Sequence, residues 1–447
     1  MREAWASRFG FIMATAGFAI GLGNIWRFPY LTGTNGGGAF LLVYVLFSIL
    51  IGIPLLSAEI SMGRKAQLTP LAGMTSLTGS AWSPWNLIAW LGMAAAVLIQ
   101  SYYLMLIGWI IGYFRMIVTG QLATVPPDRL AATYEAFIGT PGPVIVYTML
   151  VIVFLALIAR RGLRRGLERV GIYAMPVLFV LLLLLAIRSL TFPGSWKGLV
   201  WYLTPDFSAI NGRILLEALG QAFYSIGIGM ATAFGLGSYL HREDSDVPGN
   251  AALVVACDTF VAFLAGLVIF PALFAFGLEP DTGPGLLFVT MTNMFARMPA
   301  GSVFGGAFFF LLILAAITSA AALFEVLTTT LTDLTRLRRR TATWLLAGMF
   351  GLLSTPVILS LAPGSSLRVL GMNLFDFADV ASGRYLLPLG GLMLALYVAF
   401  VWGFDRFRDD TNVGAGRVRV TAAWRPLMVF LIPVAVAFVL LAGAGIL

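Results

Sequence analysis

Apolar runs of about 18 residues or more recur from one end of this 447-residue chain to the other, each long enough to cross a bilayer as a helix. Such runs leave few folds open. Inside a bilayer the backbone must satisfy its own hydrogen bonds, so only helices and closed barrels span it. A barrel shows ten-residue alternation instead of continuous apolar runs. Composition agrees, with 60% hydrophobic residues against 11% charged ones, a balance that leaves a soluble domain without a polar exterior. The expected fold is therefore an all-α polytopic membrane protein with one membrane domain. Eleven spans are expected near residues 9–33, 38–62, 84–118, 143–160, 167–189, 211–240, 250–276, 303–335, 342–362, 382–404 and 425–446. The first repeat would occupy about 9–189 and the second about 211–404, with an additional helix at about 425–446.

The net charge of +8 does not call for nucleic acid, because Lys and Arg collect in the cytoplasmic loops of membrane proteins. One set of loops, with Arg2, Arg64, Arg161, Arg242, Arg339 and Arg406 among its members, holds 19 of the 28 basic residues. That bias places the N-terminus in the cytoplasm. Eleven crossings place the C-terminus outside. The lone Cys257 forms no intramolecular disulfide and reads as a small core residue. The first apolar run carries Gly17, Gly21, Gly23, Asn24 and Arg27 and is not expected to be cleaved as a signal peptide. Of the outward loops, 119–142 is rich in proline and 277–302 is long enough to act as a lid.

Two spans are interrupted. Span 1 contains Ala19-Ile20-Gly21-Leu22-Gly23-Asn24, and span 6 contains Ser225-Ile226-Gly227-Ile228-Gly229-Met230. Each glycine weakens a helix by about 1 kcal/mol relative to alanine. Local unwinding is cheap at such places, but the exposed carbonyls and amides must then meet a polar cavity, an ion or a ligand. Glycine-interrupted spans at matching places in two successive five-span halves point to a binding site between inverted repeats.

The stretch from Ala19 through Tyr30 (AIGLGNIWRFPY) resembles the first-helix motif of the neurotransmitter:sodium symporter family. Asn35-Gly36-Gly37-Gly38-Ala39-Phe40, Gly52-Ile53-Pro54-Leu55 with Glu59, and Met62-Gly63-Arg64 extend that resemblance, which covers about 400 residues. It implies the leucine-transporter fold of a bacterial amino-acid transporter, a 5+5 inverted repeat with helices 1 and 6 broken. It also implies sodium-coupled symport by alternating access in the bacterial inner membrane, as a monomer or homodimer.

The resemblance further implies two sodium ions. One would meet the carbonyls of Ala19 and Ser225, the Ser225 hydroxyl, Asn24 and Asp258. The other would meet the carbonyls of Gly17, Ile20 and Ala315 and the hydroxyls of Thr318 and Ser319. Positions 315, 318, 319 and 323 share one helical face, so span 8 can serve both ion and substrate. A substrate carboxylate would lie against the amides of Leu22 and Gly23, near the first sodium and the Tyr103 hydroxyl, beside Gly21. Monoamine carriers of the family place an acid at that glycine, so the resemblance favours amino acids. Ile99, Tyr103, Tyr224, Ser225, Gly227, Met230, Ser319 and Leu323 would surround a hydrophobic or aromatic side chain.

An outer gate would pair Arg27 with Asp379, completed by Gln221 and Tyr103. An inner gate would use Arg2, Trp5, Ser238, Tyr239 and Asp333. Gly166 and Pro176 would let the inner end of span 5 unwind. Asp258 departs from chloride-dependent members of the family and is expected to replace a bound anion, which predicts chloride-independent transport. Glu59 and Glu325 read as structural hydrogen-bonding acids. A channel would leave a continuous polar stripe, and a membrane enzyme would need a catalytic constellation where this chain offers only His241. A sodium-dependent sensor of the same fold remains the alternative.

Overall fold

The computed structural model describes residues 3–243, 245–278 and 285–443. Among them, nine helices are long and apolar enough to cross a membrane, and the bent pair Arg8–Ala19 and Gly23–Thr34 makes a tenth span, with 51° between its halves. Span 6, in two pieces at Gly212–Ile226 and Thr232–Gly237, completes the eleven that the sequence leads one to expect. The others are Gly38–Ala66, Pro84–Val118, Pro141–Ala159, Leu163–Leu190, Val247–Ala275, Gly301–Thr335, Arg339–Ser360, Leu374–Thr411 and Trp424–Gly443.

Span boundaries differ from expectation where helices continue past the apolar run. Span 10 begins at Leu374 rather than 382 because the Asn373 side chain caps it, accepting from the Asp376 amide at 2.8 Å. Its far end carries Arg406, Arg408, Asp409 and Asp410, too polar to read as membrane but still helical. Span 5 begins at Leu163 with a π-helical turn, Leu163–Glu168, that contains Gly166. The end expected to unwind is helical in this structure, with a π turn at Gly166 and Pro176 inside the regular helix Arg169–Leu190 that follows. Four short helices, Pro70–Thr78, Leu130–Ile138, Ser195–Leu203 and Met291–Arg297, escaped the sequence reading because two or three turns carry too little apolar period. The outward loop expected at 277–302 is helical over Leu286–Thr290, where Leu286, Leu287 and Phe288 are buried, while 279–284 lie outside the described residues.

Span 8 packs on spans 3 and 5, and span 7 on spans 2 and 5. Broken spans 1 and 6 sit inside this frame. The break of span 1 is buried, from Ile20 at 0% exposure to Asn24 at 0%. Outer faces stay apolar: Val180, Leu183, Leu184 and Ile187 on span 5 are all exposed at helical spacing, the face a helix turns toward lipid. In span 6, Gly227, Gly229 and Ala231 all adopt positive φ, so the chain turns left-handed at three alternate positions and cannot continue as a helix. A Cβ on Gly229 would collide with the Leu387 carbonyl, which adds a steric reason for glycine there.

Candidate functional site

A cavity with about 440 Å³ of empty space separates the two breaks. Gly21, Leu22 and Gly23 line it from span 1, and Ser225, Gly227 and Met230 from span 6. Ile99 and Tyr103 of span 3 and Ser319 and Leu323 of span 8 form side walls, with Ala19 and Tyr224 completing the set. All residues expected around the substrate thus meet in one place. The sequence reading missed Phe18, Gln100 and Ala320, which also line it. Helical spacing offered a signal for Gln100, three residues before Tyr103, and for Ala320, three residues before Leu323.

Two glycines shape this space differently. A Cβ on Gly21 would stand 2.8 Å from the Tyr103 hydroxyl and 3.3 Å from Ser319 Oγ. A side chain there would have to displace the Tyr103 hydroxyl, so glycine keeps that space open. Gly227 opens no space beside it, because the Phe18 ring lies there: a Cβ at Gly227 would meet Phe18 Cε1 at 2.5 Å. The φ of +74° is the other constraint on that position. Tyr103 Oη accepts from the Leu22 amide at 3.2 Å, and Ser319 Oγ donates to the Phe18 carbonyl at 2.8 Å. Spans 3 and 8 therefore hold the break of span 1 from two sides. Gln100 donates to the Ala320 carbonyl at 3.3 Å, while its Oε1 is buried with no hydrogen-bond partner.

Beside the cavity lies a compact group of oxygens. Ser225 Oγ donates to Asp258, with Oδ1 at 2.9 Å and Oδ2 at 3.0 Å. Asn24 Nδ2 reaches Asp258 Oδ1 at 2.7 Å, the Asp258 carbonyl at 3.0 Å and Ser225 Oγ at 2.9 Å. Asn24 Oδ1 accepts from the Gly21 amide at 3.1 Å, which keeps the chain folded tightly at the break. Tyr44, missed in the sequence, donates to Asp258 Oδ2 at 3.1 Å. Asn24 and Asp258 are fully buried, and a lone carboxylate at such depth needs a cation or several donors. Among the described residues no three His, Cys, Asp or Glu gather as a metal group, so this set offers one carboxylate among neutral oxygens. That donor set suits a hard monovalent cation.

A second convergence joins spans 1 and 8. A Cβ on Gly17 would stand 3.2 Å from Thr318 Cβ, and Thr318 Oγ1 lies 2.9 Å from the Ala315 carbonyl. Ile20 ends the helix in extended backbone, φ −76° and ψ 99°, which frees carbonyls at this point. Gly17 and Thr318 thus face each other across the two spans, with Ala315 one turn away from Thr318, and Ser319 reaches span 1 at the Phe18 carbonyl.

Toward the end away from Trp5 opens a vestibule of about 730 Å³, lined by Arg27, Asp379, Tyr102, Tyr224, Trp26 and Phe375. The expected Arg27–Asp379 ion pair is not made. Arg27 lies over the Tyr224 ring at 4.4 Å, and Asp379 accepts from Tyr102 at 3.1 Å. Gln221, instead of bridging that pair, donates to the Gly23 carbonyl at 2.9 Å. The opposite end is shut. Trp5 is 6% exposed, its Nε1 donates to the Leu236 carbonyl at 3.1 Å, and its ring meets Tyr239 edge-on. Tyr239 donates to Glu325 at 3.1 Å, and Glu325 is ion-paired with Arg339. Asp333 accepts from the Thr69 amide and hydroxyl, at 3.2 and 2.8 Å. Ser238 Oγ donates to the Gly235 carbonyl at 2.6 Å, and Arg2 lies outside the described residues.

One closure the sequence did not reveal is Glu168. Its carboxylate accepts from the Ala6 amide at 3.0 Å and from the Ser7 amide at 3.2 Å, tying the residues just before span 1, which Ser7 caps, to the π turn of span 5. Glu59 accepts from the Gly229 amide at 2.7 Å and so anchors the break of span 6.

Residues 2–137 and 130–445 match the Sodium:neurotransmitter symporter family. The uncharacterized sodium-dependent transporter YhdH of Bacillus subtilis is 35% identical over 99% of this chain and 98% of its own length. The sodium- and chloride-dependent creatine transporter 1 of Homo sapiens is 28% identical over 92% of this chain and 72% of its own. A crystal structure of MhsT in complex with L-phenylalanine superposes with a TM-score of 0.89 at 38% identity, covering 99% of this chain and 100% of that one.

Proposed function

The chain belongs to the sodium:neurotransmitter symporter family, and from that premise we propose that it carries hydrophobic or aromatic L-amino acids across the bacterial inner membrane with sodium. The observation that carries this reading is the cavity between the breaks, lined by the apolar side chains of Ile99, Met230 and Leu323 and edged by the start of a helix at Gly23. The first amides of a helix have no partner within it and attract a carboxylate. Ile99, Met230 and Leu323 would receive the side chain. The phenylalanine bound to MhsT supports this substrate class.

Sodium is read here as co-transported cargo. One ion would be held by Asn24, Ser225, Asp258 and the Ala19 carbonyl, close enough to the substrate carboxylate for each to strengthen the other's binding. A second would sit among Gly17, Ile20, Ala315, Thr318 and Ser319, stapling span 1 to span 8. Asp258 brings its own negative charge to the first site, so no chloride is needed. Two ions at 100 mV and tenfold gradients supply roughly 7 kcal/mol, enough for about a 10⁵-fold substrate gradient. The vestibule then faces the periplasm and the Trp5 end the cytoplasm, which follows from the bias in basic residues.

Uptake of radiolabelled amino acids into proteoliposomes, with an inward sodium gradient or with potassium in its place, tests the proposal. Sodium-dependent accumulation of leucine, phenylalanine or tryptophan, outcompeting glutamate, is expected. Binding that depends on sodium without accumulation would replace symport by a sensor, and preference for glutamate would sink the apolar pocket.

A further inference from the structure

Outside the transport pathway, at the end where Trp5 closes the chain, the charges of spans 2 and 10 are unevenly matched. Lys65 is ion-paired with Asp410, and its ammonium also lies over the Trp402 ring at 5.3 Å. Asp410 accepts in addition from Trp402 Nε1 at 3.0 Å. Arg64, buried beneath, is spent on carbonyls: Ser245 and Val413 at 2.7 Å each, and Asp410. On one side of the Lys65–Asp410 pair a cavity with about 640 Å³ of empty space is lined by Lys65, Arg406, Trp85, Tyr397, Trp402 and Thr78. Among the described residues Arg406 makes no hydrogen bond or ion pair, and its neighbour Asp405 is taken by Arg408 at 3.1 Å.

We propose that this crevice binds the headgroup of an anionic phospholipid from the adjoining leaflet, its phosphate between Lys65 and Arg406. Three observations select a lipid over a free phosphate. The crevice is walled by aromatic rings, Trp85 and Tyr397 lying 5.8 Å apart, where a small hydrated anion gains nothing. Phe400 and Val401, 67% and 44% exposed, continue span 10 from the crevice toward the bilayer and offer a track for an acyl chain. Basic and aromatic side chains side by side at the end of a span are also the composition of the membrane interface, where anionic headgroups lie. Two cations face one carboxylate there, and that carboxylate is already shared between Lys65 and Trp402, so a phosphate meets an unanswered positive charge at Arg406. The bound lipid ties the ends of spans 2, 3 and 10 together, independently of substrate or sodium.

The test uses the full chain in detergent, with phosphatidylglycerol, phosphatidylcholine and inorganic phosphate as probes. Native mass spectrometry is expected to show phosphatidylglycerol retained, and added phosphatidylglycerol to raise the thermal midpoint more than phosphatidylcholine. Arg406→Gln, which breaks no contact in the fold, should weaken phosphatidylglycerol binding about fivefold, whereas Arg417→Gln at the same end should not. Lys65→Gln serves as a second variant, read only where its elution and melting match the native chain. Equal retention in the Arg406 and Arg417 variants, or equal effects of the two lipids, would overturn the proposal. Stabilisation by inorganic phosphate that matches phosphatidylglycerol would show a free-anion site instead.

Discussion

Asn24 donates its side-chain amide to the Asp258 carboxylate at 2.7 Å, so the break in span 1 is tied directly to a buried acid on span 7. Replacing the acid by its amide keeps the shape and removes the charge. Asp258→Asn is expected to raise the sodium concentration for half-maximal uptake about tenfold, equivalent to ~1.4 kcal/mol. Uptake by the native chain should be unchanged when gluconate replaces chloride. A sodium curve identical in the variant would remove Asp258 from the ion site.

Gln100 Oε1 is buried without a partner in the lining of the central cavity. A substrate with an N–H on its side chain can satisfy that oxygen, while phenylalanine cannot. Tryptophan is therefore expected to compete better than phenylalanine, and Gln100→Leu should erase the difference, a change of about 1 kcal/mol or roughly fivefold in relative inhibition. Competition assays against one labelled substrate measure it. An unchanged tryptophan-to-phenylalanine ratio in Gln100→Leu would show that the oxygen does not read the substrate.

Arg27 and Asp379 line one vestibule yet hold different partners, Tyr224 and Tyr102. Their attraction should appear only when the vestibule narrows over a bound substrate. A double-mutant cycle with Arg27→Gln and Asp379→Asn is expected to give coupling near zero in the melting of the substrate-free protein. With substrate and sodium present the coupling should reach about 1 kcal/mol. Coupling of equal size in both conditions would mean that the two residues interact throughout.

Glu168 holds two backbone amides at the start of span 1. Loss of a charged acceptor shared by two amides costs ~1 kcal/mol or more. Glu168→Ala should speed hydrogen exchange of residues 4–10 about fivefold and leave exchange in span 8 unaltered. Uniform acceleration would indicate general destabilisation rather than release of a latch.

The frame of the molecule was legible because lipid forces apolar length onto every span, and the two breaks because paired glycines with Asn24 or Ser225 are an expensive way to build a helix. The family resemblance is what brought Asp258 and Thr318 forward as expected ion ligands, and the structure places both beside the broken span 1. What stayed hidden depends on distance in three dimensions. Tyr44 is separated from Asp258 by more than two hundred residues, and nothing in its own span marks it as a partner of that acid. Glu168 reads as one more charge in a basic loop until the fold brings it over Ala6 and Ser7. The Phe18 ring lying against Gly227 likewise shows only in the fold, since the two residues are more than two hundred positions apart.

Gln221 donates to the Gly23 carbonyl and Asn24 to Ser225 Oγ, both at 2.9 Å, so the vestibule halves of spans 1 and 6 are cross-linked twice. They form a single shutter. For anyone watching this protein move, a pair of probes placed across those two half-helices is therefore expected to keep one distance as the vestibule opens and narrows. The informative pairs would run from either half-helix to span 3 or span 8, which pack on one another, and one such pair should report on both halves at once.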